Sequence, residues 1–573
     1  MARAHVQVKL LFMVHLAATV TRSLNNGMGA TPAMGYSTWN DCSTFRDNGV
    51  NGWCWNGEEH VRNVTNYLVS SGLAKLGYTF VNIDAGWLKG RSPNGTIYDD
   101  RAIFPTGMAA LGAWIKSQPT YPQSPYLMQY GLYSCRGTCQ CSTGTYSGPG
   151  SHGYEKEDTD WMVAAGADFI KIDSCCGDQD HAVAFSDYGK FRDALNATGK
   201  PVYFSVCGWA EWYSPPDTSI GYGGGVTLGN SWRIAGDGAT YAAITNCLNT
   251  QAAAAPYAGP GGWPDPDLLI GPEVYVGGQS DAQARAQFTM WSIFPANLII
   301  SQNVLAWSSY ALETYSNEEL IAVNQDPLGT PARRLVGSDL AFPCEGGISG
   351  VVAVPCDEGD ITQLWLPDAV TATIASVAYA TQEGVLQNAD CSSANGALVN
   401  VGRFGEGPCQ GDNQQWLHSN SGELINGASI NCLDVRNFTG PSVELWTCNG
   451  GVNQNYSMTA SRLIRTADGG PGKPPLCIAA RPDTTTCTNV WGRELMGGDI
   501  VVGFLNNGAD PTNVTCDTAC FADILPVAPA AMRVRDLWLH ADIGTVRPPF
   551  SFTAAVAGGG AAAAFRFSPV SAT

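Results

Sequence analysis

At 573 residues the chain is too long for one core, and a length of this order divides into three or four domains. Hydrophobic residues make up 45% and charged residues 14%, which excludes a disordered chain. The net charge of -19 excludes nucleic acid and an anionic membrane surface as partners and suits a neutral ligand.

The first 23 residues read as a signal peptide: Arg3 and Lys9 precede an apolar run at 10–20, too short to anchor in a bilayer. No later stretch reaches the roughly 18 apolar residues of a span. A secreted or extracellular protein is expected, with a vacuolar or lysosomal destination also open. The 19 cysteines agree. They cluster as Cys42/Cys54, Cys135/Cys139/Cys141, Cys391/Cys409, Cys432/Cys448 and Cys516/Cys520, spacing that suits local disulfides in an oxidising compartment. Paired CxxC motifs with nearby His are missing, so no metal site is expected. The odd count leaves at least one thiol unpaired or intermolecular. Sequons stand at Asn63, Asn94, Asn196, Asn437, Asn455 and Asn513.

From residue 24 to 337, β-rich runs alternate with helix-compatible segments. Candidate strands are 79–83, 130–133, 169–172, 202–206 and 298–301. Candidate helices are 58–76, 158–165 and 185–194. Repeated β-α units over this length favour a (β/α)8 barrel of parallel strands. Asp84, Asp173 and Cys207 each follow a candidate strand directly, and the C-terminal strand ends are where a barrel places its chemistry. Asp178 and Asp180 read as a solvated or capping pair.

Between 338 and 486 the chain repeats itself. Cys391, Cys432 and Cys477 recur at steps of 41 and 45, and "CDEGDITQLW", "CQGDNQQW" and "CNGGVNQNY" close successive units. A period near 40 with aromatic closure predicts a threefold β unit whose repeats share one core. Gln363, Trp365, Gln414 and Trp416 read as its core residues. Residues 487–573 read as an antiparallel β-sandwich, with the glycines at 558–560 making a turn rather than a helix. The repeat unit interrupts this sandwich region.

Glycoside hydrolysis needs two carboxyl groups flanking the anomeric carbon, ~5–5.5 Å apart where configuration is retained. The motifs "TPAMGYSTWN", "FVNIDAGW", "FIKIDSCCG", "SWRIAGD", "AGPGGWPDPDLLIG" and "AVNQDPLG" occur here in the order seen in glycoside hydrolase family 27, which the chain resembles over 29–330 and again over 489–570. The resemblance implies a barrel followed by a sandwich, no cofactor, and a retaining exo-glycosidase acting on terminal α-galactose. It implies Asp173 as nucleophile and Asp237 as general acid/base. Trp39, Asp84, Tyr133, Lys171, Arg233 and Asp267 match substrate contacts. Cys175 matches a cysteine whose disulfide borders the site, with Cys139 or Cys141 as its partner. Lys171, two residues before Asp173 on a strand, faces the same way and favours its ionised form. Ionised Asp173 with protonated Asp237 predicts an acidic pH optimum.

Three positions depart from the family pattern. Ala85 replaces a second Asp that holds sugar hydroxyls around C4 and C6. Gly208 replaces a polar residue near the 2-hydroxyl, with Glu211 close by in sequence. Gly229 stands where animal members carry a cysteine, leaving Cys207 without that partner. These departures keep α-N-acetylgalactosaminidase, β-L-arabinopyranosidase and α-glucan hydrolase as alternative activities. A lectin with an inactive barrel is the alternative from a different class. The segment "CLDVRNFTGPSVELWTCNGGVNQNY" is similar to a repeat of ricin-type β-trefoil lectins. By that resemblance Asp434 and Asn453 would bind sugar hydroxyls, Trp446 would offer a ring face, and Glu444 and Gln454 would support them. The other repeats lack "CLD", so at most one competent lectin site is expected.

Overall fold

A computed structural model describes residues 26–41, 57–141, 148–208 (without 179), 224–272 and 279–570, the last without 341, 343, 345–348, 390, 394, 406–410, 437–441, 468–473, 482–485 and 526. The expected signal peptide, Cys42, Cys54, Cys409, Glu211 and the Asn437 sequon lie outside these residues. Eight strands make one parallel sheet in which each hydrogen-bonds its neighbours: β1 (Met34–Ser37), β2 (Phe80–Asn82), β3 (Gln129–Cys135), β4 (Phe169–Asp173), β5 (Tyr203–Val206), β6 (Ser231–Arg233), β7 (Trp263–Asp265) and β8 (Leu298–Ile300). β8 returns to β1, with Leu298 opposite Met34. Leu269, just past β7, bridges to Ile300 and closes the ring. Strands buried on both faces carry near-continuous apolar runs, as β5 and β8 do.

Helices cover the outside. They include α1 (Glu58–Ser70), α2 (Met108–Ile115), α3 (Glu155–Ala164), α4 (His181–Thr198), α5 (Tyr241–Ala254), α6 (Asp281–Ile293), α7 (Ser309–Tyr315) and α8 (Glu318–Asn324). Local sequence fixes their starts. Asp180 caps α4 by accepting from the amides of Ala182 and Val183, and Asp178 accepts from the Asp180 amide, as expected for a capping pair. Ser280 and Gln283 form a reciprocal capping box on α6. The expected helix at 58–76 stops at Ser70, and a separate 3-10 turn follows at Ala74–Leu76.

The next strand, β9 (Arg333–Val336), falls within the segment expected to belong to the barrel, yet it pairs antiparallel with a sandwich strand, β12 (Thr488–Glu494). The sandwich therefore begins before the repeat unit and resumes after it. Its main sheet continues through β13 (Ile500–Asn506), β16 (Ala561–Pro569), β14 (Met532–Asp536) and β15 (Ala541–Val546), facing a two-stranded ribbon of Thr512–Cys516 and Phe552–Val556. The turn at 558–560 leads into β16, so this alanine-rich stretch is strand and not helix. The sandwich shares its core with the barrel: Trp491 packs edge-on to Phe294 at 4.7 Å between ring centres. Gly503 lies so close to α6 that a Cβ there would sit 2.2 Å from Ile293 Cδ1.

The intervening segment forms a 12-stranded sheet system with a core of its own. Its first strand (Ser349–Pro355) pairs with its last (Leu476–Arg481), so the threefold unit closes on its own ends. The closing motifs act alike. The side-chain oxygens of Gln363, Gln414 and Gln454 accept from the amides of Asp357, Gly405 and Asn449. The Trp365 and Trp416 indoles donate to the carbonyls of Ile478 and Leu386. These residues build the core, as expected. Cys344 and Cys487 are bonded across the base of the insertion, with Cα atoms 5.6 Å apart. Both ends of the insert therefore leave the sandwich at one point.

The local-disulfide expectation holds for Cys432–Cys448 and Cys516–Cys520 and needs correction at the Cys135/Cys139/Cys141 cluster. Cys139 and Cys141 pair across two strand ends with Cys176 and Cys175, and Cys477 pairs with Cys356. Cys135, Cys207 and Cys247 are buried free thiols. No helix among the described residues is long and apolar enough to cross a membrane. The disulfides fit an oxidising, secretory compartment.

Candidate active site

The barrel gathers the expected residues at one mouth because each sits at or just past the C-terminal end of its strand. Trp39 follows β1, Asp84 follows β2, Tyr133 lies on β3, and Lys171 and Asp173 on β4. Arg233 ends β6, and Asp237 and Asp267 follow β6 and β7. In the β3–β4 register Tyr133 faces Lys171 and Cys135 faces Asp173, so alternation turns all four toward the same side.

Asp173 is buried, and both its oxygens are engaged. Tyr133 Oη donates to Oδ2 at 3.0 Å, and the Ser174 amide donates to Oδ1 at 2.8 Å. Lys171 Nζ lies 3.0 Å from Asp84 Oδ2 and 4.0 Å from Asp173 Oδ2, linking the two carboxylates. The ammonium is also 5.2 Å from the Tyr133 ring centre. Burial disfavours the lysine charge, but Asp84 and Asp173 hold its pKa above the ordinary value. For Asp173 the balance falls the other way. Burial pushes its pKa up to about 6, Lys171 and the Ser174 amide pull it down, and the charges of Asp237 and Asp84 add to the rise. The expectation that Lys171 favours the ionised form is right in sign, but burial outweighs it.

Across the mouth Arg233 grips two carboxylates. Its Nη2 is 3.1 Å from Asp237 Oδ1, and its Nη1 is 3.0 Å from Asp267 Oδ1. Nη2 also donates to the Gly236 carbonyl at 2.9 Å, which fixes the loop carrying Asp237. Asp267 Oδ2 accepts from the Gly238 amide at 2.7 Å, so this loop is held on both sides of Asp237. Asp267 has a φ of 90°, a strained conformation for a side chain larger than glycine. Arg233 is buried, while the Asp237 side chain is 58% exposed. Two carboxyl groups thus share one mouth, one sunk in the floor and one on the rim. Two-carboxylate displacement chemistry needs two such groups at one mouth, although burial here raises the pKa of the group matched to the nucleophile and not that of the acid.

A model of the family described as "Alpha galactosidase A" matches residues 31–326, just over half of the chain. The chain belongs to that family. The Alpha galactosidase C-terminal beta sandwich domain matches 485–565, and the Ricin-type beta-trefoil lectin domain matches 383–491. An alpha-galactosidase of Oryza sativa subsp. japonica is 35% identical over 316 residues, covering 55% of this chain and 68% of the relative. A probable alpha-galactosidase of Dictyostelium discoideum is 32% identical over 355 residues, covering 62% and 82%. The crystal structure of alpha-galactosidase I from Mortierella vinacea superposes with a TM-score of 0.58 at 21% identity, covering 96% of this chain and 100% of that one, a likeness of fold.

In this alpha-galactosidase family member the disulfide at the site is Cys141–Cys175. It packs with Ala85, Tyr133, Cys135 and Trp39 in one side of the mouth. Ala85 is buried and contributes only a methyl group there. A Cβ at Gly229 would sit 2.7 Å from the Phe204 carbonyl oxygen, so no cysteine fits, and Cys207 stays unpaired beside Arg233 Nη1 at 3.6 Å. The sequence does not single out Ser37 or Asp265, which line the same floor cavity as Lys171 and Arg233. Ser37 reaches Asp84 at 3.5 Å, and Asp265 accepts from the Asp267 amide at 3.0 Å. The available signal for Asp265 was the acidic pair around Pro266, which by itself reads as a turn.

In the trefoil, Asp434 lies opposite Glu444 between β10 (Cys432–Val435) and β11 (Val443–Trp446). Asn453 and Gln454 amides donate to its two oxygens at 2.9 and 2.8 Å. Burial, with the neighbouring Glu444 charge, pushes the Asp434 pKa up to about 7 against the pull of those amides. Four of the five residues expected at the lectin site are thus brought together, and Trp446 lies two residues past Glu444 on β11. Their face is turned toward the barrel: Arg436, two residues past Asp434, donates to Asn246 on α5.

Proposed function

We propose that the barrel hydrolyses terminal α-galactosides by double displacement, with Asp173 as nucleophile and Asp237 as general acid/base. The observation that carries this reading is the pair of carboxyls held at one mouth: Asp173 between the Tyr133 hydroxyl and the Lys171 cation, which favour its ionised form, and Asp237 in the grip of Arg233. In the first step Asp173 Oδ attacks the anomeric carbon while Asp237 gives its proton to the departing oxygen. The bond to the leaving group breaks and a glycosyl ester forms. In the second step Asp237 takes a proton from water, the water oxygen attacks the same carbon, and Asp173 leaves as carboxylate. Two inversions return the α configuration. Lys171 and Tyr133 stabilise the carboxylate before attack and after release. Asp84 and Asp267 offer charged acceptors for sugar hydroxyls, Trp39 an apolar ring, and the Cys141–Cys175 bridge a fixed wall. The chain's residues need no metal or organic cofactor for these steps.

NMR of the first sugar released from p-nitrophenyl α-galactoside tests the mechanism. An α product is expected, and a β product would overturn it. A second reading of specificity rests on Ala85 and Gly208, which offer no acceptor where a sugar hydroxyl or a larger 2-substituent would sit. Turnover of a panel containing N-acetyl-α-galactosaminide, β-L-arabinopyranoside and α-glucoside decides between them. Release to the cell exterior, or delivery to a vacuole, is the proposed destination within the secretory pathway. The exposed sequons at Asn94, Asn196 and Asn513 support it. The trefoil is proposed as a second carbohydrate-contacting unit.

A further inference from the structure

Trp446 belongs by sequence to the trefoil, yet its indole ring lies against the catalytic loop of the barrel. A Cβ placed on Gly236 would be 3.3 Å from Trp446 Cη2 and 3.6 Å from Cζ3. Gly236 is the residue before Asp237, and its carbonyl is held by Arg233. The approach follows from strand register. Cys432 lies opposite Trp446 and Asp434 opposite Glu444, so Trp446 shares a face with Asp434 and Arg436, and Arg436 anchors that face to Asn246 on α5. The indole remains half-buried, with surface left to meet a ligand.

The general acid must stand beside the glycosidic oxygen, so the leaving group lies on the Asp237 side of the pocket, away from the floor of Lys171 and Asp173. Trp446 borders that side. From this we propose that Trp446 is a specificity-determining residue of the glycosidase: its ring forms the wall against which the sugar released as leaving group packs. The inference rests on the proposed assignment of Asp237. It makes the trefoil part of the active site for substrates whose leaving group is itself a sugar. A small leaving group does not extend to the indole.

The test compares kcat/KM of the full chain on melibiose, whose leaving group is glucose, and on α-galactosyl fluoride, whose leaving group is one atom. Trp446→Ala is expected to lower the melibiose value about tenfold more than the fluoride value, the size of a lost aromatic contact. Trp446→Leu keeps apolar cover over Gly236 and loses the aromatic face, so it guards against misfolding and should show most of the same selective loss. Equal changes on both substrates in Trp446→Leu would overturn the inference and leave Trp446 as interface packing. Turnover of neither substrate by the wild type would remove the proposed function itself, and this inference with it.

Discussion

Replacing Asp173 by Asn should abolish turnover and, at neutral to alkaline pH, make the protein more stable. The carboxyl has a folded-state pKa of about 6 against an ordinary 3.8, with burial as the main cause. Because the folded value is the higher, stability is gained as pH falls from above 6 toward 3.8 and lost as pH rises through 6. Above 6 the ionised group costs about 3 kcal/mol relative to its protonated form. Asn resembles the protonated acid in shape and charge, so it removes this cost. It also loses one acceptor, since an amide cannot accept from both Tyr133 Oη and the Ser174 amide with its two ends. That loss is about 1–2 kcal/mol at any pH. The net gain is ~1–2 kcal/mol at pH 8 and turns to a small deficit at pH 4.5. Thermal unfolding at both values gives the Tm difference between variant and wild type, and comparing the two pH values cancels the pH-independent part. A Tm difference that does not grow from pH 4.5 to pH 8 refutes the reasoning about burial. Residual hydrolysis near the wild-type rate refutes the assignment of the nucleophile.

Three further outcomes follow from the same geometry. The value of kcat/KM should fall about tenfold per pH unit below the Asp173 pKa of about 6, placing the acid limb higher than a strongly acidic optimum would need; a full rate at pH 4.5 in a pH profile contradicts this. Lys171→Met removes the cation that pulls the Asp173 pKa down, so the acid limb should move above 6 and activity at pH 6 should drop more than at pH 8. Arg233→Lys keeps a positive charge but cannot hold Asp237, Asp267 and the Gly236 carbonyl together, so kcat should fall on the order of 10–100-fold with little change in circular dichroism.

Much of the barrel was legible because its buried parallel strands carry short runs rich in apolar and aromatic residues. The segments around Phe80, Tyr130, Phe169, Tyr203 and Leu298 all became strands at nearly the expected bounds. β6 and β7 were not legible as strands. Each has three residues, and Ser-Trp-Arg and Trp-Pro-Asp show neither an apolar run nor alternation. Their end residues, Arg233 and Asp265, were visible only through ordered motifs or as a turn. The reach of β9 into the sandwich was also hidden, because its partner β12 lies beyond the entire trefoil, and pairing across such a gap leaves no local pattern. Cysteine spacing misled for a related reason. Neighbours in sequence such as Cys139 and Cys141 sit on one strand-end loop, while the bonds run to Cys176 and Cys175 on the next.

The least legible feature was the orientation of the trefoil, and it has the largest consequence for the site. A repeat unit with its own core needs nothing from its host, so its sequence is silent about which face docks. Here three contacts decide. The Cys344–Cys487 bridge brings both connections to one point. Asn249 on α5 donates to the Leu340 carbonyl at 2.9 Å and accepts from its amide at 2.7 Å, tying the outgoing connection to the helix. Arg436 reaches Asn246 one helical turn earlier on the same face of α5. A staple, a backbone clamp and a side-chain contact along one helix leave little rotational freedom, and they direct the Asp434–Trp446 face toward the loop that begins α5. That loop carries Asp237. The insertion thus lengthens the wall of the catalytic mouth with an aromatic ring that the barrel does not itself supply.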